Sequence, residues 1–547
     1  MMKKSLSIFL VGMLLIGVVA ISGCTDNDTE IAGTEEETTA NDELIAAVGT
    51  HGGEPESGFN PITGWGYNHE PLIQSTLFKK DSNGALINDL ATDYSVNEDG
   101  YTWTVTIRDD VIFHDGEALT AEDVAFTFNT AAEAGGSVDL SMLEKATVID
   151  DNTIEFKLND NQATFINKLA VIGIVPEHAY DENYGQNPIG SGPYQFVQWD
   201  KGQQVILEAN PDYYGDEPYF KKLTIVFMEA DTAFAAAKSG QIDLAEIPTS
   251  YAGQEVDGMK IVALESIDAR GISFPAQPDT GETSEDGYAI GNDVTSDVAI
   301  RKALNIGIDR QTLVDGALNG QGEEEFTGVD KLPWGNKEAI FEDGNVEEAR
   351  KILSDAGWED TDGDGIVEKD GVKAEFTLLY SASAQERQAL AVAISEEAKE
   401  LGINIIPEGS SWDKIDTLAL STPVVFGYGS LDPTDLYLKY YSESYDPSSY
   451  NNIIKYSNPT VDSYLRTAIT SSDQDIANEN WQLAAWDGET GFSPKGDATW
   501  MWMATLDYLY IMDEDLDIGT PKYSHMALIF SEISWNGNAQ KTKFEVS

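Results

Sequence analysis

YTWTVTIRDDVIFHDGEALTAEDVAFTF, residues 101–128, holds a strand, a turn and a helix within one stretch. Tyr101 to Ile107 alternates large and hydroxylated side chains with the period of two expected of a half-buried strand. Asp110 to Phe113 then runs into Asp115-Gly116, a tight-turn signal, and Thr120 stands where a helix N-cap belongs. Glu122 and Asp123 complement the positive end of the following helix, which carries Val124, Phe126 and Phe128.

The same alternation of element types continues along the chain. Leu44 to Val48 reads as a short buried strand, Thr153 to Leu158 as an alternating strand and Ala374 to Tyr380 as another. Asp297 to Asp309 keeps a helical period through Ile300, Ala303, Leu304 and Ile308. Glu347 to Ala356 is a helix stopped by Gly357, and Ala384 to Leu401 a long one ending at Gly402. No repeat of 20–50 residues is visible, which argues against solenoids and propellers. The fold class expected is mixed α/β, with open sheets flanked by helices.

Composition narrows the function. The chain has 547 residues, with 33 Lys plus Arg against 95 Asp plus Glu and a net charge of −62. Its 41% hydrophobic content is enough for a sizeable core despite that charge. Phosphate binding needs clustered positive charge, so nucleic acid is excluded as a partner. With one cysteine, Cys24, the chain cannot build an internal disulfide, a zinc ribbon or an iron–sulfur cluster. It also lacks a GxSxG elbow, an HExxH helix and a GxxxxGK[ST] loop, so an enzyme is not expected.

Lys3 and Lys4, the uncharged apolar run Leu6 to Ile21, and Ser22-Gly23-Cys24 follow the plan of a secretory signal peptide over 1–23. The ending resembles a lipobox, which implies that Cys24 carries a lipid anchor. Residues 24–42 are polar and acidic, a flexible tether placing the domain outside the cytoplasm, in a periplasm or at an archaeal cell surface.

Several stretches, in order, resemble the extracytoplasmic solute-binding proteins of peptide/nickel ABC importers, family 5. They include Gly58-Phe59-Asn60-Pro61, Leu90-Ala91-Thr92-Asp93-Tyr94, Arg108 to Val124, and Gly190-Ser191-Gly192-Pro193-Tyr194. Asn210-Pro211-Asp212-Tyr213-Tyr214, Ser239-Gly240-Gln241-Ile242-Asp243 and Val298 to Leu304 continue the series. The resemblance implies a two-lobed periplasmic-binding-protein-like fold that closes on ligand about a hinge, with an extra inserted subdomain in the first lobe. Lobe I is expected from 43–78, 181–275 and 506–547, the inserted subdomain from 79–180, and lobe II from 276–505. Arg270 to Phe274 and Asp507 to Met512 are the expected hinge crossings. The implied partners are a small-molecule, metal or peptide ligand, a membrane reached through the anchor, and ABC permease and ATPase subunits. No cofactor is required; nickel, a nickel chelate or calcium would be bound as ligand.

The ligand is less legible. In peptide-binding relatives that this chain resembles, an aspartate three residues after an aromatic clamps the peptide α-ammonium. Phe426 to Pro433 is shorter here, with Leu431 where the clamp is expected and Asp432 remaining. In nickel-type relatives histidines hold the metal, because imidazole nitrogen suits late first-row ions. His114 and His178 read as structural, whereas His51, His69 and His525 are candidate nickel ligands, His51 and His525 by convergence. Trp65, Tyr67, Tyr428, Trp500 and Trp502 are candidate stacking surfaces. Asp360, Asp362 and Asp364 carry the spacing of a weak calcium loop, with Gly365 at its sixth position. The expected function is capture of nickel, a nickel chelate or an oligopeptide for an ABC permease, nickel slightly ahead. The alternative is a sensor or adhesin lipoprotein on the same scaffold.

Overall fold

A computed structural model describes residues 42–48, 54–67, 69, 72–81, 84–446, 449–521 and 528–537. Contacts divide the chain into Met1–Thr38 and Thr39–Ser547, and every described residue belongs to the second unit. The signal segment, Cys24, and the histidines His51 and His525 lie outside the described residues.

Two long strands, Met259–Ser273 and Trp500–Asp513, run antiparallel through the middle of an 11-stranded sheet. At one end of the pair, Leu244–Ile247 joins Trp500–Asp513 and is followed by Glu43–Ala47, Lys222–Val226, Gln204–Ala209 and Tyr194–Asp200. At the other end, Val424–Tyr428 joins Met259–Ser273, followed by Glu375–Ser381 and Asn404–Ser410. The strands 43–47, 222–226 and 244–247 are mutually parallel, as are 375–381, 404–410 and 424–428. Each wing is therefore a helix-covered parallel core, and the two long strands are shared between them.

The register of the long pair breaks once in a consequential way. Glu265 faces Asp507 and Ala269 faces Thr505, so Ser266, Ile267 and Asp268 stand opposite Leu506 alone. Such a bulge bends its strand and re-aims side chains. Ser266 Oγ donates to the Leu506 carbonyl at 2.7 Å, and the Tyr508 hydroxyl donates to Asp268 at 2.6 Å. The hydrophobic cores separate at this bulge. One wing's core draws on residues between Leu44 and Ile247 and between Tyr508 and Trp535, and the other's on residues between Ile267 and Leu506.

A third core belongs to a four-stranded antiparallel sheet in the order Ala91–Val96, Thr102–Ile107, Thr153–Leu158, Leu143–Asp150. The helix Ala121–Ala134 packs on it, opened by Asp123 accepting from the Thr120 backbone at 2.9 Å and closed by Gly135 in the left-handed region. The hairpin Phe78–Lys80/Leu86–Asn88 and the short helix Phe165–Leu169 join the same core.

The mixed α/β reading holds, with one local revision. The helix expected over 297–309 spans Val298–Gly307, and Asp309 caps a second helix, Arg310–Ala317, by accepting from Thr312 N at 2.9 Å. The apolar period runs through the break, but an aspartate whose side chain competes for backbone N–H groups starts a new helix there.

Trp502 is fixed by two glycines. A Cβ at Gly271 would stand 2.5 Å from Trp502 Cε3, and one at Gly328 2.8 Å from Trp502 Cε2. Gly271→Ala should therefore lower the unfolding free energy by about 1–3 kcal/mol in urea denaturation. An unchanged midpoint would show that the indole is free to move.

Candidate functional site

The four-stranded unit and the carboxy-terminal wing meet at a pocket of about 120 Å³. From the four-stranded unit come Lys80, Asn167, Lys168 and Val171; Tyr67 also lines the pocket, and the bulge supplies Ile267. The opposite wall is Gly429, Ser430, Leu431, Asp432 and Asp435, where the chain leaves Val424–Tyr428 and enters the helix Thr434–Tyr440. This is the carboxyl end of a parallel strand, the usual seat of ligands in open α/β sheets. A larger cavity of about 950 Å³, walled by 330–338 and the end of the helix Gln474–Ala485, shares Ile267 and Leu431 with it.

An ion pair closes the pocket. Lys168 Nζ lies 2.9 Å from Asp432 Oδ2, with the two side chains only 11% and 15% exposed. Asp432 Oδ1 accepts from Thr434 N at 3.0 Å, Thr434 Oγ1 at 2.7 Å and Asn167 Nδ2 at 3.4 Å. The same boundary is crossed by Ala163 N donating to the Ile469 carbonyl at 2.8 Å, and by the Thr434 and Thr164 hydroxyls 2.7 Å apart. Burial presses on both charges of the pair, but their mutual attraction and hydrogen bonds outweigh it. Lys168 is held above the usual ammonium range and Asp432 below the usual carboxylate range.

Three further groups are shifted by burial. Burial lowers Lys80 to about 8 against the pull of Asp432 and Asp81. Burial, with Asp435 next in weight, raises the Tyr67 phenol to about 12. Burial raises Asp435 against the attraction of Lys439, one helical turn on. The Lys439 ammonium sits 4.6 Å from the Tyr428 ring centroid and 5.9 Å from that of Trp500.

The residues singled out in the sequence divide into groups. Tyr67 and Asp432 line the pocket. Tyr428 is buried behind it, while Trp500 and Trp502 stack on each other at 4.9 Å inside the core of the carboxy-terminal wing. Tyr428 Oη and Trp500 Nε1 are buried without a hydrogen-bond partner among the described residues. Trp65 packs edge-on to Phe59 and to the His69 ring at 4.8 and 4.6 Å, in a different core. His178 pairs with Asp115 at 2.7 Å, and the half-buried His114 bridges the backbone of Gly190 and Gly192. At the acidic loop, Asp360 accepts from the backbone of Gly363 and Gly365, and Lys373 forms ion pairs with Asp362 and Asp364. Asp360, Asp362 and Glu368 bring carboxylate oxygens within 4.8 Å of one another.

Lys80, Asn167, Lys168, Asp435 and Ile267 were not singled out in the sequence. A lysine amid the apolar Phe165–Leu169 was the available signal for Lys168, since an interior ammonium needs a partner.

Comparison with known proteins decides the family. Residues 85–501 match the model for bacterial extracellular solute-binding proteins, family 5 Middle. The chain belongs to that family. Protein XP55 of Streptomyces lividans is 31% identical over 482 residues, covering 85% of this chain and 84% of that protein. The oligopeptide-binding protein AppA of Bacillus subtilis is 29% identical over 435 residues, covering 74% and 76%. The crystal structure of NikZ from Campylobacter jejuni in complex with Ni(L-His) superposes with a TM-score of 0.73 at 24% identity, covering 90% and 99%. As a family-5 member the chain is an extracytoplasmic solute-binding protein and not an enzyme. Among the described residues no helix is long and apolar enough to cross a membrane.

Lys168→Met leaves Asp432 buried without its cation and should cost about 3–5 kcal/mol in chemical denaturation, most of it recovered on adding Asp432→Asn. Because Asp432 titrates lower in the folded chain than in the unfolded one, its contribution is complete above the ordinary carboxylate range. It is lost as pH falls through the folded value. The stability difference between wild type and the double variant should shrink on acidification; a constant difference from pH 7 to pH 2 would contradict the pairing.

Proposed function

We propose that this protein is the capture component of an ABC importer and that its solute is an oligopeptide or a comparable small organic molecule. The solute would occupy the 950 Å³ cavity and present one polar end to the smaller pocket. The observation that carries this reading is the site's composition, with polar groups from both sides of a closing boundary converging beside apolar walls at Ile267, Leu431 and Val171. The volume lies in the range of small-molecule sites. AppA, named as oligopeptide-binding, supports the peptide class.

In this reading the two wings are lobes, with the four-stranded unit belonging to the first, and the bulge at 265–269 against 505–507 is where they bend. The solute binds the open form, closure brings Lys168 to Asp432, and the closed shape docks on the permease. Cys24 would carry the lipid that keeps the receptor near its permease.

A nickel chelate is the second reading, supported by the likeness to NikZ in complex with Ni(L-His) and by three histidines unassigned to structure at the sequence level, His51, His69 and His525. Peptide is placed first because the pocket walls offer ammonium, carboxylate and phenol groups. Isothermal titration with pooled tri- to hexapeptides separates the two. Binding that persists in EDTA and survives His51→Ala and His525→Ala is expected. Binding of Ni²⁺ with histidine, abolished by EDTA or by either substitution, together with no response to peptides, would replace peptide with chelate.

A further inference from the structure

Lys80 is a half-buried cation with no carboxylate in contact among the described residues. Its Nζ donates to Asn167 Oδ1 at 2.6 Å and to the Leu431 carbonyl at 3.3 Å, both neutral oxygens. Among the described residues no carboxylate oxygen lies within 4.0 Å of it. An ammonium has three hydrogens to donate, so one remains for the pocket that Lys80 lines.

The neighbouring charges are accounted for by one another. Asp432 is paired with Lys168 at 2.9 Å and receives three further hydrogen bonds, which fills a carboxylate's capacity of about four. Asp435 feels Lys439 as its strongest charged neighbour. Asp81, next to Lys80 in the chain, accepts from Ala85 N at 2.9 Å. Lys168 is set against Asp432 and Lys439 against Asp435, while Lys80 feels Asp432 and Asp81 only from beyond contact distance. A chain of net charge −62 thus keeps an ammonium out of contact with any carboxylate among the described residues. Leaving a part-buried ammonium without a contacting anion is costly, and an incoming anion lowers that cost.

We infer that Lys80 anchors an anionic group of the solute, a carboxylate, in the pocket. This rests on the reading of the pocket as the solute site, and it narrows the solute to one that enters carboxylate first. Tyr67, which lines the same pocket, is placed to donate its phenolic hydrogen to that carboxylate. A free α-ammonium finds no vacancy here, because Lys168 already holds the place beside Asp432.

Three probes test the inference on the mature protein by isothermal titration: tetraalanine, its C-terminal amide, and N-acetyl-tetraalanine. The amide should bind at least tenfold more weakly than the acid, and N-acetylation should change affinity less than threefold. Lys80→Met should erase the difference between acid and amide, whereas Lys80→Arg should keep it and so shows that the fold is intact. In wild type the affinity for the acid should also decline above about pH 8, where Lys80 loses its proton, and in Lys80→Arg it should not. Equal binding of acid and amide, or a difference that survives in Lys80→Met, overturns the assignment. If no tetrapeptide binds, the peptide reading falls instead, and acetate decides the anchor. A rise in melting temperature with acetate in wild type that is absent from Lys80→Met supports it, and an equal rise in both overturns it.

Discussion

The Lys168–Asp432 ion pair is the constraint around which the site is arranged. Each is the other's ion-pair partner across the boundary between the four-stranded unit and the carboxy-terminal wing, and a buried charge is tolerable only when paired. A buried pair of this kind contributes little net stability, because the attraction mainly offsets the cost of removing two ions from water. Its value is geometric. It brings the Phe165–Leu169 helix and the Asp432 turn together in one register and, with them, the walls of the pocket. The hydrogen bonds of Ala163, Thr164 and Asn167 across the same boundary tighten that register.

The bulge in the central strands makes such a meeting compatible with a continuous sheet. Three residues opposite one leave the ladder locally unpaired, and a bulge of this kind bends its strand. The same irregularity places Ile267 in the wall shared by both cavities. Outside, the large negative charge favours solubility and is screened over about 10 Å at ordinary salt. Inside, screening is weak, and the local sign is set by a few lysines.

Much of the fold could be read from local pattern. The strands Thr102–Ile107 and Thr153–Leu158 alternate cleanly, and the Thr120 cap and Gly135 stop bracket their helix. The long strands were harder. Met259–Ser273 carries Glu265, Ser266, Asp268 and Arg270 through its bulge, which breaks the alternation, and Trp500–Asp513 is buried on both faces and has no alternation to show. The site was legible only by halves. Asp432 stands out because a carboxylate before Pro433 at a strand end has a local signature, and Tyr67 because of its aromatic loop. Lys168 lies 264 residues from Asp432 in the chain, and Lys80 lies 351 from Leu431, so no spacing rule links them. Trp500 and Trp502 had the composition of a stacking surface, but their rings face each other, with two glycines against Trp502, rather than the pocket.

In the proposed importer role Lys168 and Asp432 hold the two lobes shut, and a distance across the boundary tests this most directly. Spin labels at Ile149→Cys and Ile476→Cys, positions 56% and 46% exposed, report across the boundary in a Cys24→Ser background. Pulsed dipolar spectroscopy should give one narrow distance peak for the protein as purified, and a second, longer population once Lys168→Met is introduced. The same narrow peak in both would mean that closure does not depend on the pair.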